Sequence, residues 1–183
     1  MRLPRSFYAR GAVPVARQLL GKYLVHVVGG KRRVGRIVET EAYLGPHDLA
    51  SHSSKGRTPR TEVMFGPAGY AYVYLIYGIH WNMNVVCGRE GVAAAVLLRA
   101  LEPIENIDGK TNGPGLLCRA MGITKLRYGC DLLGDELFVE EPPTPKPFKI
   151  VRTPRIGVDY AGAWAKRLLR FYIRGNSFVS KTR

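Results

Sequence analysis

A chain of 183 residues with 46% hydrophobic side chains carries enough apolar material for one core and about one domain. Its 28 Lys and Arg against 14 Asp and Glu leave a formal net charge of +14, more than dispersal in water requires, which points to a polyanionic partner with nucleic acid first among the candidates. A membrane span would need about 18 consecutive apolar residues, whereas the longest apolar run here is Val92 to Leu98, and no basic segment has a clean apolar face.

Cys87, Cys118 and Cys130 are odd in number and form no Cys-x-x-Cys pair, so they read as free thiols in a reducing compartment. Met1 to Ser6 has no apolar stretch of signal-peptide length, and an intracellular chain is the expectation. Pro14 to Leu20 reads as a short packing helix, with proline in its first turn and Gly21 as the stop. Tyr23 to Val28 and Arg32 to Leu44 are β-rich, and Gly29-Gly30 between them predicts a hairpin. Tyr70 to Ile76 and Trp81 to Cys87 are two further strand candidates flanking Tyr77-Gly78, and Ala93 to Leu101 is a fourth. Pro114 to Met121 is a second helix candidate ending at Gly122, and Pro142-Pro-Thr-Pro-Lys-Pro147 has to be an extended loop. The tail from Arg155 mixes Trp, Tyr, Phe and Arg without a period, and no internal repeat or domain boundary is visible, so 1–183 reads as a single domain.

Chemistry concentrates in Glu39-Thr-Glu-Ala-Tyr43, where period-two alternation puts Glu39, Glu41 and Tyr43 on one side of a strand. A carboxylate beside an aromatic ring suits water activation next to a stacking platform; a solvated acidic strand face fits the same spacing. His52, in a Ser- and Gly-containing loop, fits a hydrogen-bonded turn as well as a site. Tyr70, Tyr72 and Tyr74 can be core aromatics or pocket walls, but Tyr77 stands at a turn tip, badly placed for a core and well placed to wedge between bases. Arg99 lies inside an apolar strand, where burial without an anionic partner is costly, and is therefore a site candidate. No His, Cys or carboxylate cluster has metal-ligand spacing, and neither a metal nor a cofactor is expected.

Longer runs carry a resemblance. Arg36-Ile-Val-Glu-Thr-Glu-Ala-Tyr-Leu-Gly-Pro46, His52-Ser, Arg57-Thr-Pro-Arg60, Met64-Phe65, Tyr72-Val-Tyr-Leu-Ile-Tyr-Gly78, Met83-Asn84, Val96-Leu-Leu-Arg-Ala-Leu-Glu-Pro103, Thr111-Asn-Gly-Pro-Gly115 and Arg155-Ile-Gly-Val158 follow one another in order over nearly the whole chain. In this the sequence resembles the alkyladenine (3-methyladenine) DNA glycosylase family. The resemblance implies an α+β fold, a single compact domain with a curved, mainly antiparallel sheet and flanking short helices. It implies an enzyme that flips an alkylated or deaminated purine out of double-stranded DNA and cleaves its glycosidic bond with water, working as a monomer without a cofactor.

Carried over by position, Glu41 resembles the general base, and Tyr43, His52 and Tyr74 resemble the residues that enclose the extruded base. Tyr77 resembles the intercalating wedge, Asn84 the residue that discriminates against a guanine amino group, and Arg99 an arginine supporting the catalytic centre. No lysine in these runs stands as a Schiff-base nucleophile, so the implied product is an abasic site in an uncut strand, made at the nucleoid if the source is prokaryotic. Two departures stand out: only seven residues separate Pro103 from Thr111, where relatives commonly carry a longer basic insertion, and Ala163 to Arg170 has Ala and Leu where Glu and Pro are usual. A nucleic-acid-binding protein without catalysis accounts for the charge and the aromatics, though not for Glu41 and Arg99. A catalytically inactive damaged-DNA-binding protein of the same fold is the nearer alternative.

Overall fold

The computed structural model describes residues 1–180, so the single-domain expectation for 1–183 extends three residues beyond the described ones. Two short helices open the chain, α1 (Arg5–Tyr8) and α2 (Ala12–Leu19). Helix α2 begins two residues before the position read from sequence, because Gly11 occupies the N-cap and Pro14 sits in the first turn, where its missing N–H costs nothing. It turns Val15, Ala16 and Leu19 inward.

The strands follow as β1 (Tyr23–Val28), β2 (Lys31–Tyr43), β3 (Ala71–Ile76), β4 (His80–Cys87) and β5 (Ala94–Glu105). Gly29 and Gly30 both take positive φ, 56° and 76°, and the expected β1–β2 hairpin forms around them. Helix α3 (Pro114–Met121) occupies the span read from sequence and closes on Gly122 at φ 73°, whose N–H and that of Ile123 return to Arg119 O and Cys118 O. Three strands of four residues complete the fold: β6 (Leu137–Glu140), β7 (Ile150–Thr153) and β8 (Arg170–Ile173).

These elements make one antiparallel sheet in the order β3-β4-β5-β2-β1-β6, and the mixed α+β class expected from the resemblance is the one observed. The central strand β2 is long enough to serve two neighbours along one edge: Lys31–Arg36 pairs with β1, and Glu39–Glu41 pairs with β8, which in turn pairs with β7. The tail read as aperiodic therefore contributes a strand to the middle of the sheet.

Helices α2 and α3 cover one face, where Ile37, Val38, Leu98 and Phe171 belong to the main core and Thr40 Oγ1 donates to Ala16 O at 2.9 Å. Gly115 permits the close approach of α3 to β4, since a Cβ there would lie 2.9 Å from that of His80. The opposite face is roofed by the segments after β2 and before β8, with the tight turns His52–Lys55 and Asp159–Lys166, and between them a cavity opens. Among the described residues no helix is long and apolar enough to cross a membrane.

Candidate active site

The cavity measures about 390 Å³, and its floor is the sheet. Strand register places Tyr72 (β3), Asn84 (β4), Leu97 (β5), Glu41 (β2) and Arg170 (β8) in one cross-strand row, because Tyr72 faces Asn84, Asn84 faces Leu97, and Glu41 faces both Leu97 and Arg170. Alternation puts Tyr74, Asn82 and Glu39 one step along on the same side. Arg99 follows Leu97 by two positions on β5 and so projects to the same side, with no direct partner on β2, since Glu39 pairs with Ala100 and Thr40 with Leu98.

Every candidate from the sequence except Glu41 borders the cavity: Tyr43, His52, Tyr74, Tyr77, Asn84 and Arg99. Glu41 is fully buried behind them. The Tyr43 hydroxyl donates to its Oε2 at 2.9 Å, the Ile156 N–H donates to Oε1 at 2.8 Å, and Arg99 Nη1 lies 3.4 Å from Oε1. The solvated acidic face that fitted the spacing is thereby overturned, since Glu39 and Glu41 are both inaccessible and both paired with arginine. Burial works against the Arg99 charge, but the Glu41 and Glu39 carboxylates outweigh it and leave its pKa raised. Burial, and then the Glu41 charge, hold the Tyr43 hydroxyl well above the ordinary phenol range, so it stays a proton donor.

The aromatic wall is cross-linked. His52 Nδ1 lies 2.8 Å from the Tyr72 hydroxyl, and the His52 ring meets that of Tyr74 edge-on, centroids 4.6 Å apart at 72°. Burial, with the Arg60 charge second, lowers the His52 pKa to about 4, which keeps the imidazole neutral at pH 7. Tyr72 is almost wholly buried with Met64 and Val86, and is thus a core aromatic as well as part of the wall. Asn82 Nδ2 donates to the Tyr74 hydroxyl at 3.2 Å, and Asn84 Nδ2 to Tyr72 O at 3.2 Å. Tyr77 stands at the rim, 87% exposed, with φ 52°.

Several residues that hold the site were not singled out from the sequence. Arg155 binds Asp48 through two parallel contacts of 2.6 and 2.8 Å, both side chains fully buried, and stacks 4.6 Å from the centre of the Tyr43 ring. This pair ties the loop after β2 to the segment that presents the Ile156 N–H. Arg170 Nε donates to Glu39 Oε1 at 2.6 Å. A signal existed in each case, an arginine amid apolar residues, as used for Arg99; its acidic partners lie more than a hundred positions away in the chain. Among the described residues no group of three His, Cys, Asp or Glu could hold a metal ion, and no lysine lines the cavity.

The family model described as methylpurine-DNA glycosylase matches residues 6–177. The chain belongs to that family. It is similar, with 60% identity covering 99% of both chains, to a protein of Legionella pneumophila (strain Corby) named "Putative 3-methyladenine DNA glycosylase". Proteins of the same name from Anaeromyxobacter sp. (strain Fw109-5) and Myxococcus xanthus (strain DK1622) are 59% and 58% identical, covering 99% and 98% of this chain and 93% of each of theirs. A DNA glycosylase activity, and with it a place in DNA repair, is thus set by family, while the roles of individual residues rest on the geometry above.

Proposed function

We propose that this enzyme extrudes an alkylated or deaminated purine from double-stranded DNA into the aromatic cavity and cleaves the bond between the base nitrogen and the sugar C1′ by water attack. The observation that carries this reading is the buried Glu41 carboxylate, set behind Tyr43 and Arg99 beside a cavity whose volume lies in the range of small-molecule sites, roughly 300–1,000 Å³. Glu41 Oε2 accepts one hydrogen bond, from Tyr43, and has a lone pair left for the proton of water. As the C1′–N bond breaks, its electron pair leaves with the purine, the water oxygen bonds to C1′, and the water proton passes to Glu41.

Tyr43, Tyr74 and the neutral ring of His52 enclose the base, and stacking on a methylated, cationic purine contributes about 0.5–2 kcal/mol for each favourable face. An imidazolium in the same place would repel that cation. Tyr77 fills the gap the extruded nucleotide leaves, and Asn84, with its Nδ2 held by Tyr72 O, meets the purine edge where a guanine presents its extra amino group. Extrusion costs least at damaged or mismatched pairs, which adds selection before the pocket is reached. Among the described residues no lysine lines the cavity, so an abasic site in an uncut strand is the product, and the enzyme acts as a monomer inside the cell, on the nucleoid if its source is prokaryotic.

The test is to incubate the protein with duplexes carrying 3-methyladenine, 7-methylguanine, hypoxanthine or ethenoadenine and to measure free base and strand nicks separately. Release of base without nicking is expected. Tight binding of all four duplexes with no base released would instead mark an inactive damaged-DNA-binding protein.

A further inference from the structure

Behind Glu41 lies a second buried carboxylate that the reaction does not use. Glu39 is fully buried and receives four donors: Arg99 Nε at 3.0 Å, Arg170 Nε at 2.6 Å, the Ser180 N–H at 2.7 Å and the Ser180 hydroxyl at 2.8 Å. Two of the four come from Ser180, which is 7% exposed and returns its own carbonyl to Arg170 Nη2 at 3.2 Å. The segment leading to Ser180 is itself fastened down: Asn176 Nδ2 donates to Glu102 at 3.0 Å, the Phe178 N–H donates to Asn176 Oδ1 at 2.9 Å, and Phe178 and Val179 pack against the main core.

Arg99 bridges the two carboxylates, Nε on Glu39 and Nη1 on Glu41, and the Glu41 contact is the longer of the two, 3.4 against 3.0 Å. A guanidinium is rigid, so whatever fixes Glu39 fixes how closely Arg99 reaches Glu41. The geometry points to Ser180 as a positioning residue for the glycosylase reaction: by saturating Glu39 it keeps Arg99 shared between the two glutamates and leaves Glu41 free to accept a proton from water. The Ser180 hydroxyl also accepts from Arg99 Nη2 at 3.5 Å, so without it the guanidinium loses its hold on the side away from Glu41 and closes on Glu41. A closer cation makes a carboxylate a weaker base. The other groups that face Glu41 are Tyr43 and Glu39 from β2, Tyr74 from β3, Arg155 from the segment before β8 and Arg170 from β8, and none of them needs to move for this to happen.

The inference rests on the glycosylase reading and is tested with Ser180→Ala and Ser180→Thr in the full chain, by single-turnover base release across pH, affinity for the lesion duplex, and thermal midpoint. Ser180→Ala is expected to lower the plateau rate by about ten- to a hundredfold, the effect of one hydrogen bond to a charged group, and to move the acidic limb of the rate profile to lower pH, with affinity unchanged. Ser180→Thr, which keeps both the hydroxyl and the N–H, should restore rate and profile. If wild type releases base and Ser180→Ala matches it, or loses rate with the limb in place, Ser180 is only structural and the inference falls while the glycosylase reading stands. If wild type releases no base from any lesion, both fall together.

Discussion

Glu41 is fully buried, yet it is the carboxylate best placed to work, because its Oε2 carries one hydrogen bond while Glu39 is surrounded by four donors. Glu41→Gln keeps the shape and the Ile156 contact but removes the proton acceptor. Base release should fall by about 10²–10⁴-fold, with affinity for a lesion duplex retained; turnover near wild type would remove Glu41 from the role. His52 gives a second expectation at this scale. Its folded pKa is about 4 against an ordinary 6.5, so between these values the unfolded chain binds more protons. The stability contributed by the neutral ring is complete above about pH 6.5 and is lost as pH falls towards 4. Denaturant midpoints measured across that window should fall with pH in wild type and fall less in His52→Gln; parallel curves would mean that His52 is not the group responsible.

At the scale of elements, the β3–β4 connection departs from easy backbone geometry in order to display a ring. Tyr77 takes φ 52° and Gly78 φ 70°, and a left-handed conformation at a non-glycine residue costs about 1–2 kcal/mol. The Tyr77 side chain is 87% exposed and offsets little of that cost by packing. Tyr77→Gly should therefore stabilise the fold by about 1 kcal/mol, seen as a raised thermal midpoint. The same variant should weaken binding to a lesion duplex more than to the same lesion in a single strand, where no gap needs filling. Equal losses on both strands would remove the wedge. This hairpin was legible in the sequence because its signals are local: a glycine, a tyrosine at a tip, and β-rich flanks. The β1–β2 hairpin and α3 were legible for the same reason. Strands β6, β7 and β8 were not, since each has four residues and draws its pairing from distant partners, as Arg170 opposite Glu41 shows. Arg99 keeps the alternation set by Leu97, but an apolar strand buried on both sides does not reveal which face borders a cavity, so the candidate was found by the cost of burying its charge.

Across the whole molecule, charge is distributed by use. Among the described residues ten of the 14 Asp and Glu side chains are ion-paired with Lys or Arg, four of those pairings' carboxylates lying at 18% side-chain exposure or less, including Glu39, Glu41 and Asp48 at zero. The acidic groups are thus largely consumed in holding the fold and the site, and the surplus of +14 is left to act outward. Exposed ion pairs contribute little to stability, whereas uncompensated surface cations attract the phosphate backbone and release its counterions on contact. Binding to an undamaged duplex, titrated from about 50 to 200 mM salt, should weaken with a log–log slope of about 0.9 for each phosphate neutralised. Several phosphates' worth of slope is expected from this charge. Because the cavity and the buried Glu41 network are far less screened than surface charges, single-turnover base release from a saturated lesion complex should change little over the same range. A flat binding isotherm would mean that the net charge serves some other partner. A cleavage step as salt-sensitive as binding would mean that catalysis itself depends on surface phosphate contacts and not on the buried network alone.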